Sequence, residues 1–129
     1  MSNPNAISWF EIPVTNMDRA QDFYETVLGK TLHREAFPME DKVYTLAVFP
    51  AAQDGAKGCL QTGHNTLESS TQGSLVYLDC GASIDAAMAR ATAAGGVLLK
   101  AKTALPPGMG YFAHVQDLDG NRIGLHALA

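Results

Sequence analysis

The sequence predicts an α+β fold made of two βαβββ modules in one domain, and three observations carry that prediction. The order strand, helix, then three strands occurs twice along the chain. Each helical segment shows a single apolar stripe. A shift of 67 residues lays "NMDRA" on "SIDAA" and Gly29 on Gly96, so the two halves share their helix start and stop. Residue identity between the halves is low, and the repeat rests on element order and caps. The first module is expected at about residues 5–62, a polar connector at 63–72 and the second module at about 73–128.

The first strand is expected from Ile7 to Val14, where Phe10, Ile12 and Val14 share one face and Trp9, Glu11 and Pro13 the other. Asn16 is placed to cap a helix in "MDRAQDFYETVLG", whose Ala20, Phe23, Tyr24, Val27 and Leu28 recur at helical spacing. Gly29 supplies its C-terminal stop. Three strands follow at Thr31–Phe37, Lys42–Pro50 and about Lys57–Gln61. The segment "TGHNTLESSTQG" lacks periodicity and reads as the connector, with His64 in it solvated, as is His33.

The second module opens on the strand "SLVYLDC". Ser83 caps a helix in "IDAAMARATAA" with Ile84, Ala87, Met88 and Ala91 on one face, and Gly95-Gly96 end it. Strands are expected at Val97–Thr103, Tyr111–Asp117 and Asn121–Ala127, with Asp119-Gly120 turning the last hairpin. In the loop before that hairpin, "TALPPGMGYF", Pro106-Pro107 and the glycines Gly108 and Gly110 allow either a lid over a pocket or a plain connector.

Composition narrows the function. The chain has 129 residues, 47% hydrophobic and 17% charged, which suits one compact domain. A net charge of −4 with nine scattered Lys and Arg offers no basic stripe for nucleic acid. No apolar run is long enough for a membrane span and no leader pattern is visible, so a cytoplasmic protein is expected. Cys59 and Cys80 lack metal or redox spacing and read as buried thiols.

One helix per module covers one sheet face and leaves the other open. The open face is expected to carry Trp9 and Glu11 from the first strand and Arg122, Gly124 and His126 from the last. Pairing across the final hairpin adds Phe112, His114 and Gln116. This set reads either as the wet side of an antiparallel sheet or as a concave site, and Trp9 and Phe112 argue against open water. Gly124 interrupts an otherwise alternating strand, and the facing of Tyr44, Cys59 and Tyr77 stays open.

The segments "IPVTNMDRAQDFYETVLG" and "FAHVQDLDGNRIGLH" resemble the vicinal oxygen chelate superfamily, the group of glyoxalases, bleomycin-resistance proteins and extradiol dioxygenases. The first matches the family's strand and "FY..vLG" helix. The second matches its "DPdGn.iEl" hairpin, with Leu118 in place of the usual proline. The resemblance covers nearly the whole chain and implies a curved mixed sheet around a concave cavity, and a homodimer with sites near its interface. It implies metal ligands at the positions occupied here by Trp9, Gly73 or Ser74, and Gly124, none of which can ligate. The usual metal site is therefore absent. By this resemblance Gly124 is a vacated ligand position, leaving room beside Trp9.

Two readings follow from the resemblance. In the first, a metal-independent isomerase or lyase acts on a small carbonyl compound, with Glu11, His114 and His126 as catalytic residues and Trp9, Phe112, Arg122 and Gly124 lining the pocket. Desolvation beside Trp9 would suit Glu11 to the role of general base. No cofactor is expected, though Glu11, His114 and His126 could instead hold a displaced divalent metal. In the competing structural reading, Glu11 is an acid held by Arg122 or a backbone donor. In the second functional reading the chain is a drug- or small-molecule-binding module without catalysis, in which Trp9, Tyr111 and Phe112 stack on a flat ligand. The expected partners are a small-molecule ligand or substrate and a second copy of the chain, with neither nucleic acid nor membrane.

Overall fold

A computed structural model describes residues 6–39, 42–63 and 68–129. His64, expected in the connector, lies outside the described residues. The first module comprises β1 (Phe10–Pro13), α1 (Met17–Leu28), β2 (His33–Met39), β3 (Lys42–Val48) and β4 (Gly58–Thr62). The second comprises β5 (Val76–Asp79), α2 (Ile84–Ala93), β6 (Val97–Ala104), β7 (Tyr111–Gln116) and β8 (Arg122–Ala127). The strands form two four-stranded mixed sheets, ordered β1-β4-β3-β2 and β5-β8-β7-β6. In each, the first strand runs parallel to the last and the other pairs are antiparallel. This is the expected α+β class, with the strands divided between two sheets inside the chain.

The caps explain the helix bounds. Asn16 accepts the amide of Arg19 at 3.1 Å, and Gly29 closes α1 in the left-handed region at φ 65°. Ser83 accepts the amide of Ala86 at 3.1 Å. The first strand is shorter than its alternation suggests. Its parallel partner β4 begins at Gly58, opposite Phe10, so Trp9 lies just ahead of the ladder.

One core runs between the sheets. Ile12, Phe23, Tyr24, Val27 and Leu60 from the first module join Leu78, Ile84, Ala87, Val115 and Leu125 from the second, all buried. Arg90 on α2 donates through Nε and Nη2 to the Val27 carbonyl at the end of α1, at 3.1 and 2.9 Å. Both cysteines are free and buried, as expected.

The last hairpin turn fastens the modules together. Buried Asp117 accepts the Tyr24 hydroxyl at 2.6 Å, the Asn121 side-chain amide at 2.9 Å and the backbone amides of Asp119 and Asn121 at 2.9 and 2.8 Å. Thr15 donates from its amide and hydroxyl to Asp119 Oδ1, and Asn121 Nδ2 donates to the Pro13 carbonyl at 2.8 Å. Burial first, then the Asp117 carboxylate, pushes the Tyr24 phenol well above its ordinary value.

Candidate functional site

The hairpin register places the second-sheet candidates as expected. Phe112 pairs with His126, His114 with Gly124 and Gln116 with Arg122, without a bulge, so all six share the open face. Tyr77 pairs with Gly124, and Asp79 with His126, on the neighbouring parallel strand, which brings both onto that face. Tyr77, whose facing the sequence left open, joins this set. Val76, Leu78 and Cys80 supply the apolar phase of "SLVYLDC", and that alternation was the available signal for an outward Tyr77.

Gly124 is not an empty place beside Trp9. A Cβ built there would lie 2.3 Å from Tyr77 Cδ1, so the Tyr77 ring fills the space a ligating side chain would take. Tyr77 Oη lies 2.7 Å from His114 Nε2, and Arg122 Nη1 lies 3.0 Å from His114 Nδ1. Burial, then the Arg122 and Lys100 charges, pulls the His114 pKa down. Phe112 stands edge-on to Tyr77, with centroids 6.0 Å apart at 80°.

His126 is committed elsewhere. Its Nε2 is 2.7 Å from the Met109 carbonyl, which can only accept, so His126 pins the Pro106–Gly110 loop to β8. The loop is further closed by the Leu105 amide to the Gly110 carbonyl at 2.9 Å, and Gly110 (φ 87°) packs where a Cβ would meet the Ala127 carbonyl. These contacts make it a fastened connector.

Trp9 and Glu11 lie on the other sheet. The sequence placed Trp9 and Glu11 in one converging set with Phe112, His114, Arg122 and His126, but β1 pairs only with β4 while β8 pairs with β5 and β7, which splits the set in two. Among the described residues the cavity holding Trp9 holds none of Phe112, His114 or His126; Glu11 and Arg122 meet only along a groove that also includes Ser70, Gln72 and Asn121. Glu11 is exposed and accepts the Trp9 indole N–H at 3.0 Å, so the desolvated pocket envisaged for a general base is not formed. Arg122 does not hold Glu11; its Nε donates to the Thr71 carbonyl at 3.3 Å. His33 is exposed, 3.5 Å from Glu35. Tyr111 lies off the open face with Lys102 Nζ 4.5 Å from its ring centroid, away from Trp9.

Among the described residues no three His, Cys, Asp or Glu side chains form a group that could hold a metal ion. Glu11, His114 and His126 do not converge as a displaced ligand set.

The open face of the first sheet carries a cavity of about 410 Å³ lined by Trp9, Glu11, Glu35, Phe37, Tyr44, Leu46 and Gln61. Strand register explains the lining: Glu35 faces Leu46, Phe37 faces Tyr44, and Leu46 faces Gln61 across three strands. Trp9 and Phe37 are 42% and 47% exposed, whereas Gln61 is 3% exposed. Gln61 Nε2 is buried without a hydrogen-bond partner, a costly state for an amide. Cys59, beside Glu11 in the register, has its thiol pushed up to about 12 by burial and then by the Glu11 charge, which makes it a poor nucleophile.

The chain belongs to the Glyoxalase/Bleomycin resistance protein/Dioxygenase superfamily, whose sequence profile matches residues 6–125. No curated protein sequence matches it. Among solved structures it is similar to a mutant glyoxalase I from Zea mays, with 20% identity and a TM-score of 0.66 over 96% of this chain. That match spans 46% of the maize chain, so this protein corresponds to about half of that enzyme's length. It is also similar to TnmS3, an antibiotic-binding protein from Streptomyces sp. CB03234, at 25% identity and TM-score 0.62 over 100% of both chains. A fosfomycin resistance protein from Listeria monocytogenes is 16% identical, with TM-score 0.61 over 95% of this chain and 93% of its own. Among the described residues no helix is long and apolar enough to cross a membrane.

Proposed function

We propose that this protein is a small-molecule-binding member of its superfamily that works without the family's metal and holds a flat, largely apolar compound against the first sheet. The observation that carries the reading is the partnerless Gln61 amide, 3% exposed, in a cavity walled by Trp9, Phe37, Tyr44 and Leu46. An apolar cleft with one convergent polar group is the usual form of a ligand site. A ligand oxygen taking the Gln61 N–H would remove a penalty the free protein carries. Glu11, fixed by Trp9, and Glu35 give the mouth a negative rim suited to a donor or cationic substituent. Similarity to an antibiotic-binding protein along the full length of both chains supports binding over catalysis.

The protein also acts as a homodimer in this reading. Trp9, Phe37 and Tyr77 are large, exposed and divided between two open faces. The first face carries Glu11 and Glu35 and the second Arg122 and Lys100 along with Asp79, so contact between these faces of two copies would set the cations of one against the carboxylates of the other.

Trp9 is the single tryptophan, so its fluorescence reports on this cavity. Titration with planar polycyclic drugs should give saturable Trp9 quenching that weakens in Gln61→Met and Phe37→Ala. Quenching untouched by both substitutions, or none across the panel, would sink the proposal. Sedimentation of the free protein as a monomer at micromolar concentration would remove the dimer.

A further inference from the structure

A second site lies on the opposite sheet, and its chemistry follows from which atoms can give protons. The Arg122 guanidinium has only donors, so at 3.0 Å it makes His114 Nδ1 an acceptor without a proton. A neutral imidazole then keeps its proton on Nε2. That nitrogen lies 2.7 Å from Tyr77 Oη, so His114 donates and the phenol oxygen accepts. The phenol's own hydrogen must therefore point away from His114, and no described residue accepts it.

We propose that the Tyr77 hydroxyl, oriented by His114 and Arg122, is the hydrogen-bond donor of a binding site for the carboxylate of a small aromatic acid. Tyr77 lines a cavity of about 520 Å³ with Leu78, Leu105, Phe112, Asp79 and His126. Its ring sits on Gly124 and stands edge-on to Phe112. A donor held in place before the ligand arrives needs no reorganisation on binding. Two cations stand near the cavity, outside its lining, which itself includes Asp79. Arg122 stands behind His114, and Lys100 Nζ lies 5.8 Å from the Phe112 ring centroid. The carboxylate on this face, Asp79, is turned to the Gly81 amide at 3.0 Å, and His126 gives its proton to Met109. The low pKa direction of His114 agrees with a neutral ring. Phe112 and Leu105 supply the surface for the aromatic part of the ligand.

The test uses the intact protein and benzoate as the probe, followed by nitrogen-15 NMR of the histidine rings. The expected result is a His114 protonated on Nε2 alone at neutral pH, with signals that move saturably on adding benzoate but not benzyl alcohol. Tyr77→Phe keeps the ring over Gly124 and should bind benzoate roughly tenfold more weakly, with an unchanged thermal melt. Arg122→Gln should release the tautomer and weaken binding similarly. A His114 proton on Nδ1, equal benzoate affinity in Tyr77→Phe, or no benzoate response in the wild-type protein would each overturn the proposal. Trp9 fluorescence follows the other cavity, so failure here leaves the first-sheet reading to its own test.

Discussion

The Tyr77 ring is seated on Gly124, its partner on the neighbouring parallel strand, with 2.3 Å between Tyr77 Cδ1 and the position a Cβ would take at residue 124. Gly124→Ala should therefore expel the ring, destabilise the protein by about 1–3 kcal/mol and break the Tyr77–His114 hydrogen bond. Urea unfolding measures the first effect and the His114 ring signals the second. Adding Tyr77→Ala to Gly124→Ala should recover part of the loss; strict additivity would show that the two residues do not touch.

Gln61→Met should move stability and binding in opposite directions. Replacing a buried amide that lacks a partner with an apolar side chain of similar size should stabilise the free protein by about 1 kcal/mol. The same change should weaken Trp9-reported ligand binding. A destabilised variant would mean that the amide is satisfied in the native state.

His114 gives a pH signature. Its folded-state pKa lies below the ordinary 6.5, through burial and the Arg122 and Lys100 charges, with Tyr77 on its other nitrogen and Asp79 and His126 elsewhere on the face. Between the folded value and 6.5 the unfolded chain binds more protons, so stability rises with pH in that window and is lost as acid is added. Urea midpoints from about pH 7.5 down to about pH 5 should fall less steeply in His114→Gln than in the wild-type protein.

Tyr24→Phe removes a buried hydrogen bond to Asp117 and should cost about 1–2 kcal/mol at neutral pH, read from the urea midpoint at constant slope. The raised Tyr24 pKa adds a second check. Above its ordinary value of 10.0 the unfolded chain loses the phenol proton first, so stability falls as pH rises there, and Tyr24→Phe should flatten that fall.

Zinc, nickel, manganese or iron should leave the thermal melt unchanged, and the purified protein should carry none of them in stoichiometric amount, because no described donor cluster can hold one. Stoichiometric metal, or a melt raised by several degrees and lost in Glu11→Ala, would restore the displaced site.

What the sequence revealed divides along local and non-local lines. Asn16, Ser83 and Gly29 act within one helical turn of their partners, so their caps were readable from spacing. Alternation likewise told which side of each strand carries Phe112, His114, Arg122 and His126, since that phase is a property of the strand itself. Which strands lie side by side is another matter. The pairing of β1 with β4 and of β5 with β8 joins segments far apart in the chain, and it put Glu11 and His114 on different sheets. The cost of Gly124 was visible as a broken pattern; its cause, Tyr77, sits across a parallel ladder that no local rule reaches. The Gln61 orphan was hidden for the same reason, because it depends on what Leu46, Tyr44 and Glu11 leave around it.

The Asp117 turn also sets a timetable for biosynthesis. Tyr24 belongs to α1, which is translated before the second module, yet its hydroxyl partner and the clasp on Thr15 and Pro13 come from the turn between β7 and β8. A nascent chain that has finished its whole first module still carries the Tyr24 hydroxyl without its Asp117 partner. The clasp therefore closes only after the second module has been translated, so the last hairpin to be made completes the hydrogen bonding of the first helix.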